Sequence, residues 1–413
     1  MTVSHLPREH ATLSGRTIVH IRTILAVALA MRVFAAVLLC MLHSPAVQVR
    51  SHTEVFAIAI SLVQGHGFSS PFFAPSGPTA FLAPGYPFLV AAVFRLFGIG
   101  SGAFVAMVAI QIVFSVLTVW IAICVAEEHF GATTANIAGT ICALSLPLAA
   151  APFIVWETCL SSLLLLAFLM AVPRLRTQAQ WAAAGAGTAI AALVNPSLIP
   201  TLFCLEAWQA RRIRKIPWIG LLGFLLVYAP WPARNLAVMH AWIPLRTDVG
   251  YELWMGNHSG GDGNFNQQLN PEVNPEERAS FVSLGELGFM RMKTASSVDY
   301  IRTHPGDFLN WTIRRIGRFW TAATHGMIVT GTIFSCLALA GFVLLLRNRP
   351  DLRILYAIPL LIYPLPYYIT HPDARFRYVI DPVLAILMAY AISVFYARVT
   401  AGRQRTVAVS ETG

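Results

Sequence analysis

The stretch RSHTEVFAIAISLVQGHGFSSPFFAPSGPTAFLAPGYPFLVAAVFRLFG, residues 50–98, decides the fold of this chain. It opens with an apolar run headed by a single acid, Glu54, and passes through a glycine-flanked turn and a proline-rich segment. Its second apolar run, residues 84–97, is shorter than the roughly 20 residues that a membrane-spanning helix needs. We therefore predict a loop that carries an interfacial or re-entrant helix and does not cross the bilayer.

The composition on either side of this stretch is that of an integral membrane protein. The chain is 56% hydrophobic and 12% charged, with a mean hydropathy of +0.64, which excludes a soluble domain of 413 residues. The net charge of +10 is concentrated in short loops, so we interpret it as a signal of membrane topology. No nucleic-acid partner is predicted.

The basic loops orient the chain, because cytoplasmic loops are enriched in Lys and Arg. If residues 84–97 do not cross the membrane, every basic segment falls on the cytoplasmic side: the N-terminal tail, the turns at 174–176, 211–215 and 347–353, and the C-terminal tail. Residues 50–98, 157, 233–318 and 371–378 then lie on the extracytoplasmic side. Polar chemistry is thus gathered on one face.

These assignments predict an all-α polytopic membrane protein with about ten transmembrane helices. Interfacial helices occupy the first extracytoplasmic loop, and a larger extracytoplasmic loop follows. The predicted units are an N-terminal transmembrane module (1–232) that contains the first outer loop (43–101), a loop with an interfacial helix (233–320), C-terminal transmembrane helices (321–397) and a tail (398–413). A helix over 298–320 leads out of the larger loop. We expect both termini to be cytoplasmic.

Charged and metal-binding residues inside the spans are few. Arg32 interrupts the first span, so we expect it to face the helix bundle or a partner acid, with snorkelling as the alternative. The six cysteines show no CxxC or Cys/His spacing, which argues against a zinc site or disulfide framework. His52 and Glu54 have no evident third ligand, so a divalent cation has no support in the sequence.

Glu54 is the leading candidate for chemistry. A carboxylate at the membrane surface can take a proton from an acceptor hydroxyl or amine. The alternative is structural, because Ser51 and Glu54 also match the capping-box pattern at a helix start. If Glu54 is only a cap, the next acids to consider are Glu157, Asp248 and Asp373.

Several motifs together resemble the GT-C glycosyltransferases, and particularly the dolichyl-phosphate-mannose protein mannosyltransferases and the aminoarabinose transferase. The motifs follow the family order: Glu54, Ala57-Ile-Ala-Ile-Ser-Leu62, Gly65-His-Gly-Phe68, Pro84-Gly-Tyr-Pro87, Leu96-Phe-Gly98, Pro230-Trp-Pro-Ala-Arg-Asn235 and Arg375-Phe-Arg-Tyr378. The resemblance implies a polyprenyl-phosphate-linked sugar donor, a lipid, glycan or protein acceptor, and an inverting transfer on the extracytoplasmic face. It also implies a plasma (inner) membrane location. Glu54 would be the base or the carboxylate that orients the acceptor.

Three arginines are the candidates for the donor phosphate. Arg234, Arg375 and Arg377 lie on the predicted extracytoplasmic face, against the positive-inside trend, and the guanidinium fork matches phosphate oxygens. The alternative is headgroup anchoring, or pairing with Asp373 or Asp381. The amphipathic run containing Arg314, Arg315 and Arg318 is interpreted as an interfacial anchor.

Aromatic, amide and imidazole groups on the same face are candidates for substrate contacts. Residues 251–263 form an aromatic and amide-rich loop suited to sugar stacking and hydrogen bonding, and an ordinary turn-rich loop is the alternative. The outer-face histidines, including His371, are candidates for proton transfer, with structural roles as the alternative. The predicted substrate-binding residues are His66, Tyr86, Trp254, Asn257 and Tyr378.

The sequence thus favours a polyprenyl-phosphate-sugar-dependent glycosyltransferase. A transporter or flippase of lipid-linked sugars is the alternative, but it predicts an intramembrane polar pathway, and the central spans are nearly free of charge. A membrane scaffold would explain the topology, but it gives no reason for a lone acid and several arginines on one face.

Overall fold

The structure is a computed structural model that describes residues 15–45, 48, 53–214, 217–322 and 328–410. The regular secondary structure of these residues is helical, and the β-type pairing within them is a single bridge between Ser69 and Pro78. The α-helices are α1 (Gly15–Leu42), α2 (Glu54–Val63), α3 (Gly85–Phe97), α4 (Ser101–Phe130), α5 (Ala132–Leu144), α6 (Leu146–Ala150), α7 (Thr158–Ala171), α8 (Gln178–Val194), α9 (Ile199–Ile213), α10 (Trp218–Tyr228), α11 (Pro230–Met239), α12 (Val249–Gly256), α13 (Pro275–Thr303), α14 (Pro305–Thr321), α15 (Ile328–Asn348), α16 (Arg353–Leu361), α17 (Leu365–Ile369), α18 (Ala374–Tyr378) and α19 (Asp381–Ser410).

Among the described residues, candidate membrane spans lie on both sides of the stretch 240–327, which contains none. Five helical segments are long and apolar enough to cross a bilayer: most of α1, α4, α10 with α11, α15, and most of α19. Helix α5 and the segment Leu146–Phe153 form a sixth if this pair, bent by 58°, is one span. The all-helical membrane fold is therefore confirmed. The count of about ten spans stays a prediction.

Helix α3 is the short helix expected at the end of the opening stretch. It has 13 residues and stops at Gly98, whose φ of 76° favours glycine. At its start, a Cβ added to Gly85 would lie 2.8 Å from the carbonyl oxygen of Leu193. The glycine of the Pro84-Gly-Tyr-Pro87 motif therefore allows α3 to pack closely against the end of α8.

Arg32 lies inside the helix bundle, as one of the two readings of the sequence predicted. Its side chain is 1% exposed. Its Nε donates to Ser115 Oγ at 2.7 Å, and its Nη2 donates to the carbonyl of Cys142 at 3.1 Å. A weaker contact of 3.4 Å joins Nη1 to the carbonyl of Ala143. These two carbonyls belong to the last turn of α5, so Arg32 caps that helix where the chain bends.

Two predicted helix boundaries are wrong. The helix expected over 298–320 is two helices, because His304, with φ −130° and ψ 58°, separates α13 from α14. The residue before a proline is disfavoured in helical conformation, and Pro305 follows His304 directly. The apolar run 216–231 predicts a span that ends at Trp231, but the helical segment continues through α11 to Met239.

Two large apolar cores hold the described residues together. The first joins α4, α5, α7, α9, α16 and α19. The second joins α2, α3 and the segment between them to α12 and the first half of α13. The opening stretch thus shares a core with the polar loop more than 150 residues later, and this packing assembles the candidate site.

Candidate active site

Glu54 begins α2 and turns its carboxyl group into the protein. The helix is capped by Thr53, whose hydroxyl accepts from Phe56 N at 3.4 Å, while Ser51 of the predicted capping box lies outside the described residues. Glu54 is 8% exposed, and its Oε1 accepts a hydrogen bond from Asn270 Nδ2 at 3.2 Å. Burial raises the pKa of this carboxyl, although Asn270 and the charge of Arg375 oppose the rise.

A second buried carboxyl group lies beside the first. Asn270 Oδ1 accepts from Glu272 N at 2.9 Å, so one asparagine side chain contacts both segments. Glu272 is 6% exposed, and its buried Oε1 has no hydrogen-bond partner among the described residues. Burial, together with the charge of Glu54, raises the pKa of Glu272 to about 8.

Arg375 brings a positive charge to this group. Its guanidinium carbon lies 4.5 Å from the centroid of the Trp156 ring, and its Nε is 3.9 Å from Asp373 Oδ2. The Nε is buried and has no hydrogen-bond partner among the described residues. Its charge lowers the pKa values of Glu54 and Glu157, which burial raises. Within the described part of the chain, Arg375 Nε is thus free to donate a hydrogen bond to a ligand near these carboxyl groups.

Arg246 is a second cation at the same place. Its Nε lies 2.8 Å from Asp248 Oδ1. Burial would lower the pKa of Arg246, but the charges of Asp248, Glu252 and Glu157 outweigh burial and raise it. We call Glu54, Glu157, Arg246, Glu252 and Arg375 the carboxylate–arginine cluster.

Glu252 is held in this cluster by a histidine. His371 Nε2 lies 2.5 Å from Glu252 Oε2, and His371 is 2% exposed. Burial opposes ionisation of Glu252, but His371, Arg246 and Arg375 outweigh it and hold the pKa of Glu252 below its usual value. The other ring nitrogen of His371, Nδ1, is buried without a partner among the described residues.

An apolar pocket of about 310 Å³ adjoins the cluster. Its walls include Thr53, Phe56, Phe104, Phe153 and Trp156. Thr53 directly precedes Glu54, and Trp156 both precedes Glu157 and stacks on Arg375. The cluster therefore has apolar space on one side, the arrangement that an amphiphilic ligand with a charged head requires.

The other two predicted phosphate-binding arginines use their donors within the protein. Arg234 donates to the carbonyls of Thr79 at 2.7 Å and Phe68 at 2.8 Å, which ties α11 to the segment before α3. Arg377 donates to Asp381 Oδ1 at 2.9 Å, the alternative pairing considered from sequence. Arg315 is fully buried and donates to the carbonyl of Gly263 at 2.9 Å.

The predicted substrate-binding residues are mostly internal. Tyr86 is 1% exposed and its hydroxyl accepts from Gln111 Nε2 at 2.6 Å. Asn257 is fully buried and donates to the carbonyl of Ile369 at 2.8 Å. Lys293 Nζ covers the Trp254 ring at 3.4 Å from its centroid.

His66 and Tyr378 lie in contrasting surroundings. His66 is exposed in its turn, and Tyr378 is buried beside Arg32 in a small cavity. Among the predicted site residues, Glu54 and Arg375 lie close enough for the charge of Arg375 to lower the pKa of Glu54. No group of three or more His, Cys, Asp or Glu within the described residues is arranged to hold a metal ion, and His52 lies outside them.

Sequence reasoning did not single out Arg246, Glu252, Asn270 or Glu272. Glu252 lies within the predicted loop 251–263 but was not chosen from it, and the other three belong to no motif. The approach of this region to Glu54 depends on the second apolar core. One usable signal was present, because Arg246, like Arg234, is an arginine on the predicted extracytoplasmic face.

Solved structures with a similar fold come from an archaeal oligosaccharyltransferase. The Archaeoglobus fulgidus enzyme AglB, in complex with an inhibitory peptide and a dolichol-phosphate, matches with a TM-score of 0.52 and 15% sequence identity over 95% of this chain and 52% of that chain. The Archaeoglobus fulgidus oligosaccharyltransferase tethered with an acceptor peptide gives a TM-score of 0.51 at 15% identity, over 94% of this chain and 51% of that chain. This chain therefore spans about half the length of those structures.

At 15% sequence identity, this likeness shows a shared fold. No family model matches the sequence, and no curated protein matches it.

Proposed function

We propose that this protein is an integral-membrane glycosyltransferase that moves a sugar from a polyprenyl-phosphate donor to a lipid, glycan or protein acceptor, with inversion. The observation that carries the proposal is the buried Glu54 carboxyl group, whose pKa the charge of Arg375 lowers, next to a mostly apolar pocket. A polyprenyl phosphate fits this arrangement, because its anionic head matches the charged cluster and its long apolar chain matches the pocket.

Each charged group has a place in the proposed reaction. The acceptor oxygen or nitrogen attacks the anomeric carbon of the sugar, and its proton passes to Glu54. The bond from the anomeric carbon to the phosphate oxygen breaks, and its electron pair leaves on the polyprenyl phosphate. The guanidinium groups of Arg375 and Arg246 stabilise that negative charge, so no general acid is needed.

The proposed setting follows the predicted topology. The cluster lies on the extracytoplasmic face of the plasma membrane, and both termini are cytoplasmic. Arg375 and Arg246 replace the set of three arginines expected from sequence, because Arg234 and Arg377 are already hydrogen-bonded within the protein.

The test is a transfer assay in proteoliposomes with a pool of radiolabelled polyprenyl-phosphate sugars. Wild-type protein is expected to consume one donor. Glu54→Gln is expected to bind that donor but to lose about 10²-fold or more in turnover, because glutamine cannot accept the proton. Glu276→Gln is the matched control, since Glu276 is exposed at the start of α13.

Two outcomes would contradict the proposal. Full activity in Glu54→Gln would remove Glu54 from the chemistry and leave it as a structural residue of α2. Movement of an intact labelled donor across the bilayer without cleavage would instead support a flippase.

A further inference from the structure

A second cavity, of about 490 Å³, lies away from the carboxylate–arginine cluster. It is a groove between α9 and the start of α10. Its walls include Phe203 and Ala207 from α9, and Trp218 and Leu221 from α10. Trp218 is 70% exposed, so the groove is open at its side.

The mouth of this groove is positively charged. Arg211 and Arg214 line it at the C-terminal end of α9, and both are exposed. The one acid in the lining, Glu206, is 8% exposed, and its Oε1 accepts from Thr188 of α8 at 2.6 Å. That carboxyl group is therefore engaged inside the bundle. The groove has an apolar body and a cationic mouth.

We propose that this groove binds one anionic phospholipid. Its phosphate contacts Arg211 and Arg214, and one acyl chain lies along Phe203, Trp218 and Leu221. A guanidinium offers a donor fork that fits phosphate oxygens, and Trp is favoured at the level of lipid headgroups. The basic turn 211–215 is predicted to be cytoplasmic, on the face opposite the cluster, so this lipid is distinct from the proposed donor.

Lipid retention by the purified full-length protein tests this inference. Protein in detergent is mixed with equal amounts of dioleoyl-phosphatidylglycerol and dioleoyl-phosphatidylcholine, and bound lipid is counted by native mass spectrometry. We expect one phosphatidylglycerol to be retained about tenfold more than phosphatidylcholine, because two arginines attract the anionic head. The preference is expected to weaken at high salt.

Variants locate the bound lipid. The double variant Arg211→Gln, Arg214→Gln is expected to lose the preference. Arg174→Gln with Arg176→Gln, in another basic turn on the same predicted face, is expected to keep it. Ala207→Trp, at an exposed position in the groove wall, is expected to reduce retention of both lipids by filling the groove.

The inference is overturned if the wild type retains both lipids equally, or if the two double variants behave alike. It is also overturned if Arg375→Gln abolishes retention, because the lipid would then lie at the carboxylate–arginine cluster. If the Arg211 and Arg214 variant does not fold, Ala207→Trp and the salt dependence still decide the question.

Discussion

Glu54 and Asn270 are 216 residues apart in sequence, and a hydrogen bond of 3.2 Å joins their side chains. The amide of Asn270 is itself fixed, because its Oδ1 accepts from Glu272 N at 2.9 Å. This second hydrogen bond restrains rotation of the Asn270 side chain and keeps its Nδ2 directed at Glu54. This bond sets the orientation of a carboxyl group that is 8% exposed, and the orientation of a base matters as much as its pKa.

Asn270→Ala should therefore lower turnover while leaving the protein folded. A hydrogen bond to a charged group contributes about 1.5–3 kcal/mol, which corresponds to a loss of about 10- to 100-fold if the bond acts mainly in the transition state. Transfer kinetics in proteoliposomes measure the change.

Asn274→Ala is the control for Asn270→Ala, since Asn274 caps α13 by accepting from Glu276 N at 2.9 Å. It should lower the melting temperature, because losing an N-cap costs about 1 kcal/mol, and leave turnover almost unchanged. Equal turnover in Asn270→Ala and wild type would show that Asn270 does not position Glu54.

Glu272 gives the protein a pH-dependent stability. Its pKa in the folded protein is about 8, above the roughly 4.3 expected in the unfolded chain. Between these two values the folded state holds a proton that the unfolded state has released. The stability that this group contributes is thus present at acid pH and is lost as pH rises towards 8.

We expect the melting temperature in detergent to fall between about pH 5 and pH 8. Glu272→Gln should flatten this slope, because glutamine stays neutral throughout the range. Glu276→Gln, at an exposed site, should keep the wild-type slope. An unchanged slope in Glu272→Gln would show that another group, such as Glu54, is responsible.

The sequence predicted the helical membrane fold and two residues of the candidate site, Glu54 and Arg375. Apolar runs and the short run at 84–97 are local features, and local features determine where a helix such as α3 begins and ends. Glu54 and Arg375 were found because a lone acid and an outer-face arginine are unusual where they occur.

The remainder depended on contacts that no local pattern encodes. Arg234 and Arg375 look alike in sequence, and only tertiary packing gives Arg234 two backbone carbonyls. The pair of Arg377 with Asp381 is different, because the two residues are four apart and the sequence already offered this pairing. Asn270 and Glu272 reach Glu54 because α2 and α12 share an apolar core. Hydrophobic periodicity indicates that one face of a helix is buried, but it does not indicate which other helix that face packs against.

Substitutions of Arg375 and Arg377 should have different effects on donor binding and stability, although only one residue lies between them. Arg375→Gln should raise the KM for the donor and lower the melting temperature less than Arg377→Gln does, because Arg375 Nε has no hydrogen-bond partner among the described residues, whereas Arg377 Nε donates to Asp381. Arg375→Lys should restore binding only in part, since an ammonium lacks the planar fork.

Arg377→Gln should instead destabilise the fold. It leaves the buried Asp381 without its cation, and breaking a buried ion pair costs about 3–5 kcal/mol. Donor binding and thermal unfolding, measured on the same preparations, give the two readouts. A raised KM with normal stability in Arg377→Gln would return Arg377 to the donor site.

Arg32 is a buried charge whose donors bind carbonyls and a hydroxyl in place of an acid. Arg32→Met keeps much of the side-chain volume but removes the donors to Ser115, Cys142 and Ala143. Each buried acceptor left without a partner costs about 1–3 kcal/mol, so a marked fall in melting temperature is expected. Arg95→Gln, on the exposed side of α3, should leave it unchanged. A wild-type melting temperature in Arg32→Met would mean that desolvating the guanidinium costs as much as its hydrogen bonds contribute, as happens when a buried charge is replaced by a well-packed apolar side chain.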